Sequence, residues 1–176
     1  METSRADRFD QLARQCLEPL RRYLARRTDA ETAADVLGDT LLVAWRRFDD
    51  VPPEPLPWLY GVARNCLANA ERGVRRRARL AARLADQPHD QTGDQPGDAV
   101  PAGSDDLLEA LEDLDDTERE LIRLWAWEQL TPAEIGTALG LTPNAVSIRL
   151  TRARQHLREL VAAPRKTGDL AGHEGA

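Results

Sequence analysis

Along the first half of the chain, apolar residues recur every three or four positions. Phe9, Leu12, Cys16, Leu20 and Leu24 form one such stripe, the period of an α-helix with one buried face. Pro19 lies inside it and, having no N–H to donate, predicts a kink or a break into two helices. A second helix is predicted to open at "TDAE", where Thr28 and Glu31 stand at capping-box spacing. It carries Leu37, Leu41, Ala44 and Phe48 along one face. The prolines of "DDVPPEPLP" must end it. A third helix is predicted to start around Pro57 and to run through "WLYGVARNCLANAERGVRRRARL". Nowhere does the chain alternate apolar and polar residues as a strand would.

In the second half, "SDDLLEALEDL" and "DTERELIRLWAWEQL" predict two further helices. In "TPAEIGTALG", Thr131 is placed as N-cap, Pro132 at the first helical position and Glu134 three residues after the cap. Gly140 is placed to end that helix. "LTPNAVSIRL" restarts with Thr142 as cap and Pro143 again at the first position. Two capped helices joined by a short Gly-containing turn predict a helix-turn-helix.

Between the halves, Ala85 to Gly103 is rich in Pro, Gly, Asp and Gln and nearly devoid of apolar residues. Such a segment cannot bury enough surface to offset its chain entropy. The tail from Pro164 has the same character. The predicted fold is therefore all-α: two small helical domains joined by a flexible linker, the C-terminal one a helix-turn-helix. The expected division is 5–84, linker 85–103, 104–163, and a disordered tail 164–176.

Charge changes the picture. The chain of 176 residues carries a formal net charge of -6, but the acid is concentrated in one place. Residues 81–116 hold one Arg and 11 acids, whereas residues 1–80 hold 15 Arg and 12 acids. Both ends are thus free to meet a polyanion. No run approaches the ~18 apolar residues of a membrane span. The N-terminus lacks the apolar stretch of a secretory signal. A cytoplasmic protein is expected, with Cys16 and Cys66 reduced and buried. His89 and His173 fall in the polar segments and His156 on the last helix. No catalytic arrangement, metal-ligand spacing or phosphate loop appears, so no enzyme, cofactor or metal is expected.

The last helix splits into faces at roughly 100° per residue. Val146, Leu150, Ala153, Leu157 and Leu160 make an apolar stripe. Asn144, Ser147, Ile148, Thr151, Arg152 and Gln155 point away from it, flanked by Arg149, Arg154 and Arg158. That division suits a recognition helix in a DNA major groove, the early outward residues meeting base edges and the flanking arginines phosphates. Ile148 would suit a thymine methyl. A solvated arginine face with Ile148 packed on a neighbour is the plainer alternative.

The third helix carries Arg64, Asn65, Asn69 and Arg72, then "RGVRRRARL" with Arg75, Arg76, Arg77 and Arg79. This is a second basic surface, on a module without a helix-turn-helix of its own. Trp58 is expected in the core, since Leu59, Val62 and Cys66 continue its side. Trp45, Trp125 and Trp127 are also assigned to packing. A DNA-binding regulator acting as a dimer on a palindromic site remains the competing reading.

Three segments, "DVLGDTLLVAWRRF", "PWLYGVARNCLANAERGVRRR" and "LDDTERELIRLWAWEQLTPAEIGTALGLTPNAVSIRLTRARQHLREL", resemble the extracytoplasmic-function (ECF) sigma factors of the sigma-70 family. The last is the most specific, with Trp127 and Glu128 followed by "LTPAEIGTALG" and "AVSIRLTRAR" in order. The resemblance implies docking on bacterial core RNA polymerase through the outer side of the second helix, at Asp35, Asp39 and Arg46. Where the family usually shows Gln-Glu this chain has Gly38-Asp39, and Gly lowers helix propensity by about 1 kcal/mol against Ala. It implies that the loop Asp49 to Pro57 takes up a flipped base of the promoter -10 element. Arg64, Asn65, Asn69 and Arg72 would line the -10 DNA, with Arg75, Arg76 and Arg77 on phosphates. The recognition helix would read the -35 element through Asn144, Ser147, Ile148, Arg149, Thr151, Arg152 and Arg154. The resemblance further implies an anti-sigma factor as partner. An acidic linker threading the polymerase RNA-exit path is one implied role for residues 85–103; a solubilising spacer is the other reading of that composition.

Overall fold

The computed structural model describes residues 4–85 and 105–162; the anticipated linker, apart from Ala85, which ends a helix, and the anticipated tail lie outside the described residues. Seven α-helices are present among the described residues: α1 (Arg5–Ala25), α2 (Ala30–Arg46), α3 (Pro55–Ala85), α4 (Asp105–Glu112), α5 (Asp116–Ala126), α6 (Pro132–Leu139) and α7 (Pro143–Ala162). A 3-10 turn, Phe48–Asp50, follows α2. There is no strand among the described residues. The all-α class stands.

The first module packs α1, α2 and α3 against one another around Cys16, Leu20, Leu24, Val36, Leu37, Ala44, Leu59 and Ala63. Three expectations about it need correction. The first helix does not break at Pro19; α1 is continuous through it. Cys16, Leu20, Tyr23 and Leu24 are all buried on either side of the proline. Their burial on one continuous face outweighs the single lost backbone bond. The cap of α2 is Asp29, not Thr28: its carboxylate accepts from the Thr32 N–H at 2.9 Å, and that bond holds its pKa below the ordinary value. A carboxylate at the positive end of a helix is a stronger acceptor than a hydroxyl, so the helix begins one residue later than the capping-box spacing suggested. Helix α3 starts at Pro55 rather than Pro57. First-turn N–H groups have no intrahelical partner, so both prolines fit there at no loss.

The second module stacks α5 and α6 on α7, with α4 against the far part of α7. Thr131 and Glu134 form a full capping box, and the Thr131 hydroxyl and N–H hold the Glu134 carboxyl below its usual range. Gly140 ends α6 in the left-handed conformation, at φ 68°. Thr142 caps α7, accepting from the Ala145 N–H at 3.2 Å. The turn is tight. A Cβ at Gly136 would stand 2.6 Å from the Leu141 carbonyl oxygen, so only glycine lets the turn close. Helix α5 ends at Ala126, and Gln129 then takes the left-handed conformation at φ 55°.

Candidate nucleic-acid interface

The apolar stripe of α7 behaves as its spacing indicates. Val146, Leu150 and Ala153 are buried, while Asn144, Ser147, Ile148, Arg149, Thr151, Arg152 and Arg154 all face outward. Ile148 is 46% exposed, which leaves its methyls on the surface rather than on a neighbour. Ser147 and Thr151 donate to the carbonyls of Pro143 and Ser147 on their own helix, each at 2.9 Å. Their oxygens remain able to accept from an incoming base edge. Arg154 is already engaged: its guanidinium lies 4.4 Å from the centre of the Trp125 ring. Trp125 is itself 38% exposed, so it is not the packed core residue expected but a platform holding Arg154 in place.

On α3 the exposed residues divide. With Arg64 as zero and roughly 100° per residue, Arg75, Arg72, Asn65, Arg76 and Asn69 fall within an arc of about 140°. Leu59, Ala63 and Leu67, all buried, lie on the other side. Six of the seven residues assigned to this face therefore share it. Arg77 does not: it falls roughly 220° around, on the side continued by Leu59 and Ala70, with its guanidinium over Gly73. Arg72 donates to the Asn69 side-chain oxygen, which fixes both side chains on the shared face. From Glu71 to Ala81 no residue of the helix is buried, and Val74 and Leu80 are exposed.

Asp35, Asp39 and Arg46 are exposed on the outer side of α2. A Cβ at Gly38 would meet nothing within 4 Å, so the glycine answers no steric demand inside the chain. Leu42 and Trp45 are also exposed there. Trp45 packs edge-on to Phe9 at 5.1 Å and lies beneath Arg5, so it is part surface, part packing. Trp58 is only partly buried, under Arg47. Trp127 packs against the core as expected. The proline loop borders a groove of about 430 Å³ with α1, lined by Arg8, Gln11, Gln15, Phe48, Pro52 and Pro53. Cys16 is buried, Cys66 half-buried, and both are free thiols.

A polar cluster between the modules escaped the sequence reading. Arg27, at the end of α1, bridges Glu120 at 3.3 Å and Glu128 at 3.4 Å. Its side chain is 4% exposed, that of Glu128 5% and that of Glu120 12%. Tyr23 donates to Glu120 at 3.1 Å, Tyr60 to Glu128 at 3.5 Å, and Arg26 also reaches Glu128. Burial, and then the nearby carboxylates, push both phenols well above the ordinary tyrosine range. The Arg123 guanidinium stands over Trp127 nearby; burial and then the Arg27 charge draw its pKa below the ordinary arginine value. The only signal in the sequence was the Trp127-Glu128 pair, which marked a motif without revealing its contact.

A helix-turn-helix with an outward polar face, joined to a three-helix module with its own arginine face, is the architecture of a DNA-binding protein. The sigma-70 region 4 model matches residues 104–157. The ECF RNA polymerase sigma factor SigL of Mycobacterium tuberculosis is 34% identical over 143 residues, covering 78% of this chain and 79% of SigL. The RNA polymerase sigma factor NccH of Alcaligenes xylosoxydans xylosoxydans is 29% identical, covering 72% of each chain. Among solved structures, CnrH in complex with the cytosolic domain of CnrY matches at TM-score 0.57 and 29% identity, over 87% of this chain and 86% of that one. The sigma factor RpoE bound to the anti-sigma factor NepR, from Bartonella quintana, has the same fold at TM-score 0.61 and 24% identity, over 89% and 98% of the two chains. The chain belongs to the ECF sigma factors of RNA polymerase. Its similarity to such relatives spans both modules, which sets aside the regulator that works without polymerase.

Proposed function

We propose that this sigma factor binds bacterial core RNA polymerase through the outer side of α2, at Asp35, Asp39 and Arg46, and reads promoter DNA with both modules. Residues 5–84 handle the -10 element and residues 104–163 the -35 element. The observation that carries this reading is the pair of exposed arginine faces, one per module, of which only the second sits on a helix-turn-helix. Asn144, Ser147, Ile148, Thr151 and Arg152 meet base edges in the major groove, and Arg149 and Arg154 meet phosphates. Arg64, Asn65, Asn69 and Arg72 line the -10 strand, with Arg75, Arg76 and Arg77 on its backbone; Arg77 reaches it from the far side of α3. The groove beside Pro52 and Pro53 has room for an extruded base.

Binding alone drives melting, with no catalytic residue, cofactor or metal. Among the described residues no cluster could hold a metal ion and no helix is long and apolar enough to cross a membrane. The factor acts in the cytoplasm, and an anti-sigma protein is its expected partner, as in the RpoE–NepR complex. The test is retention on core polymerase together with promoter opening. Wild-type protein should be retained and should open promoter DNA. No retention at low salt by folded protein would end the reading.

A further inference from the structure

We infer that Trp125 is a positioning residue for duplex recognition: its ring holds Arg154 in advance at the edge of α7, where the guanidinium meets a backbone phosphate beside the -35 element. The inference rests on the -35 reading of α7 and deepens it. With Leu150 as zero and roughly 100° per residue, Arg154 falls about 40° around, Ser147 about 60° and Thr151 about 100°. Arg154 thus leaves the helix at the border between the buried stripe and the outward face. A hollow of about 700 Å³ lies at this border, lined by Trp125, Gln129, Thr131, Ser147, Thr151 and Arg154 among others. Arg154 is the one charged side chain among the described residues that line it. All of these belong to the second module. The first module meets α6 at its other end, where a Cβ at Gly61 would stand 2.5 Å from the Ala138 carbonyl oxygen.

The polar groups of the hollow narrow what can hold an anion there. The Thr131 hydroxyl and N–H both donate to Glu134, at 2.6 and 2.7 Å. The Ser147 and Thr151 hydroxyls donate to carbonyls of their own helix. The side-chain donors left are the Arg154 guanidinium and the Gln129 carboxamide. How Arg154 is held matters as much as where. Arg27 is held by two carboxylates, which neutralise it. Arg154 is held by a ring at 4.4 Å, the closest arginine–tryptophan contact among the described residues. An indole face attracts the cation without neutralising it and spends none of its five N–H donors. An arginine fixed before DNA arrives also gives up less freedom on binding. Trp127 packs against the core, whereas Trp125, two residues earlier, stands apart from it and is 38% exposed. The core does not account for an indole at this position; the arginine does.

The test uses the full chain and a fluorescein-labelled duplex of mixed sequence, about 20 base pairs long, since a phosphate contact reads no base. Binding is followed by fluorescence anisotropy across a salt series. Arg154→Ala should weaken binding roughly fivefold and lower the salt slope by about 1. Trp125→Leu should weaken it about threefold at an unchanged slope, because the same phosphate is met at a greater ordering cost. Trp125→Phe keeps a ring and should recover most of that loss. In the Arg154→Ala background, Trp125→Leu should cost nothing further. An equal loss in that background would overturn the inference, as would a Trp125→Phe variant no better than Trp125→Leu. So would a Trp125→Leu variant that binds like wild type, although a lower slope for Arg154→Ala would then keep the phosphate contact. Should Arg154→Ala change neither affinity nor slope, the contact and its positioning fall together.

Discussion

Helices α3 and α7 both present arginines on an exposed face, yet they are held in opposite ways. Helix α7 is pinned through Ala153: it has a capped start, a buried stripe, and a turn so tight that a Cβ at Gly136 would stand 2.6 Å from the Leu141 carbonyl oxygen. Among its described side chains, helix α3 has its buried residues in its first half, and its arginine cluster lies on a segment with exposed Val74 and Leu80. A rigid helix suits a duplex groove, whose base edges stand at fixed positions. A helix free at one end suits a strand whose path changes as the duplex separates. On the proposed function, the contrast also separates two kinds of arginine, those that would specify sequence and those that would hold a backbone.

The largest effect should come from removing the constraint on α7. Gly136→Ala forces a Cβ into the turn and should cost about 2–3 kcal/mol, read as an earlier thermal transition of the C-terminal module and loss of -35 duplex binding. Arg152→Ala should weaken -35 duplex binding by roughly 1–3 kcal/mol and relax base preference at one position. Arg76→Ala should instead weaken DNA binding evenly across sequences and lower the salt slope by about 1. If the two substitutions gave the same signature, the distinction between the helices would be lost. Asn65→Ala should impair promoter opening by about 1 kcal/mol with duplex binding kept, as measured by permanganate reactivity of the melted bases. Gln129→Gly relieves a left-handed side chain and should stabilise the second module by up to about 1 kcal/mol. The smallest effect concerns pH. Glu134 has a folded pKa below its ordinary 4.5, so its contribution is complete above that value and is lost as pH falls through the folded one. Acid titration of Glu134→Gln against wild type, followed by tryptophan fluorescence, should show that component missing.

The helix-turn-helix was legible because its signals are local. Thr131, Pro132, Gly140, Thr142 and Pro143 each act within a few residues of where they stand, and each does in the fold what its type dictates. The exposed faces of α3 and α7 were legible because a helical period sorts residues without knowledge of partners. Pro19 misled because the local rule against a mid-helix proline yields to a buried stripe on both sides. Arg77 was grouped with its sequence neighbours, whereas its angle around α3 sets it apart from Arg75 and Arg76. Trp125 was read as core because tryptophan usually is, yet here it carries Arg154. The inter-module cluster could not be read at all. Arg27 and Glu120 are 93 residues apart, and no period or motif spacing links them.

Gly61 also has a consequence for how such a factor can change over generations. A glycine codon becomes an alanine codon by one base change, and at this position the new Cβ would stand 2.5 Å from the Ala138 carbonyl oxygen, so that change alters the fit between modules. Lineages could therefore adjust how closely α6 packs on α3, step by step, without changing the exposed face of α7. The fit between modules and the recognition face would then be inherited as separate traits of one short chain.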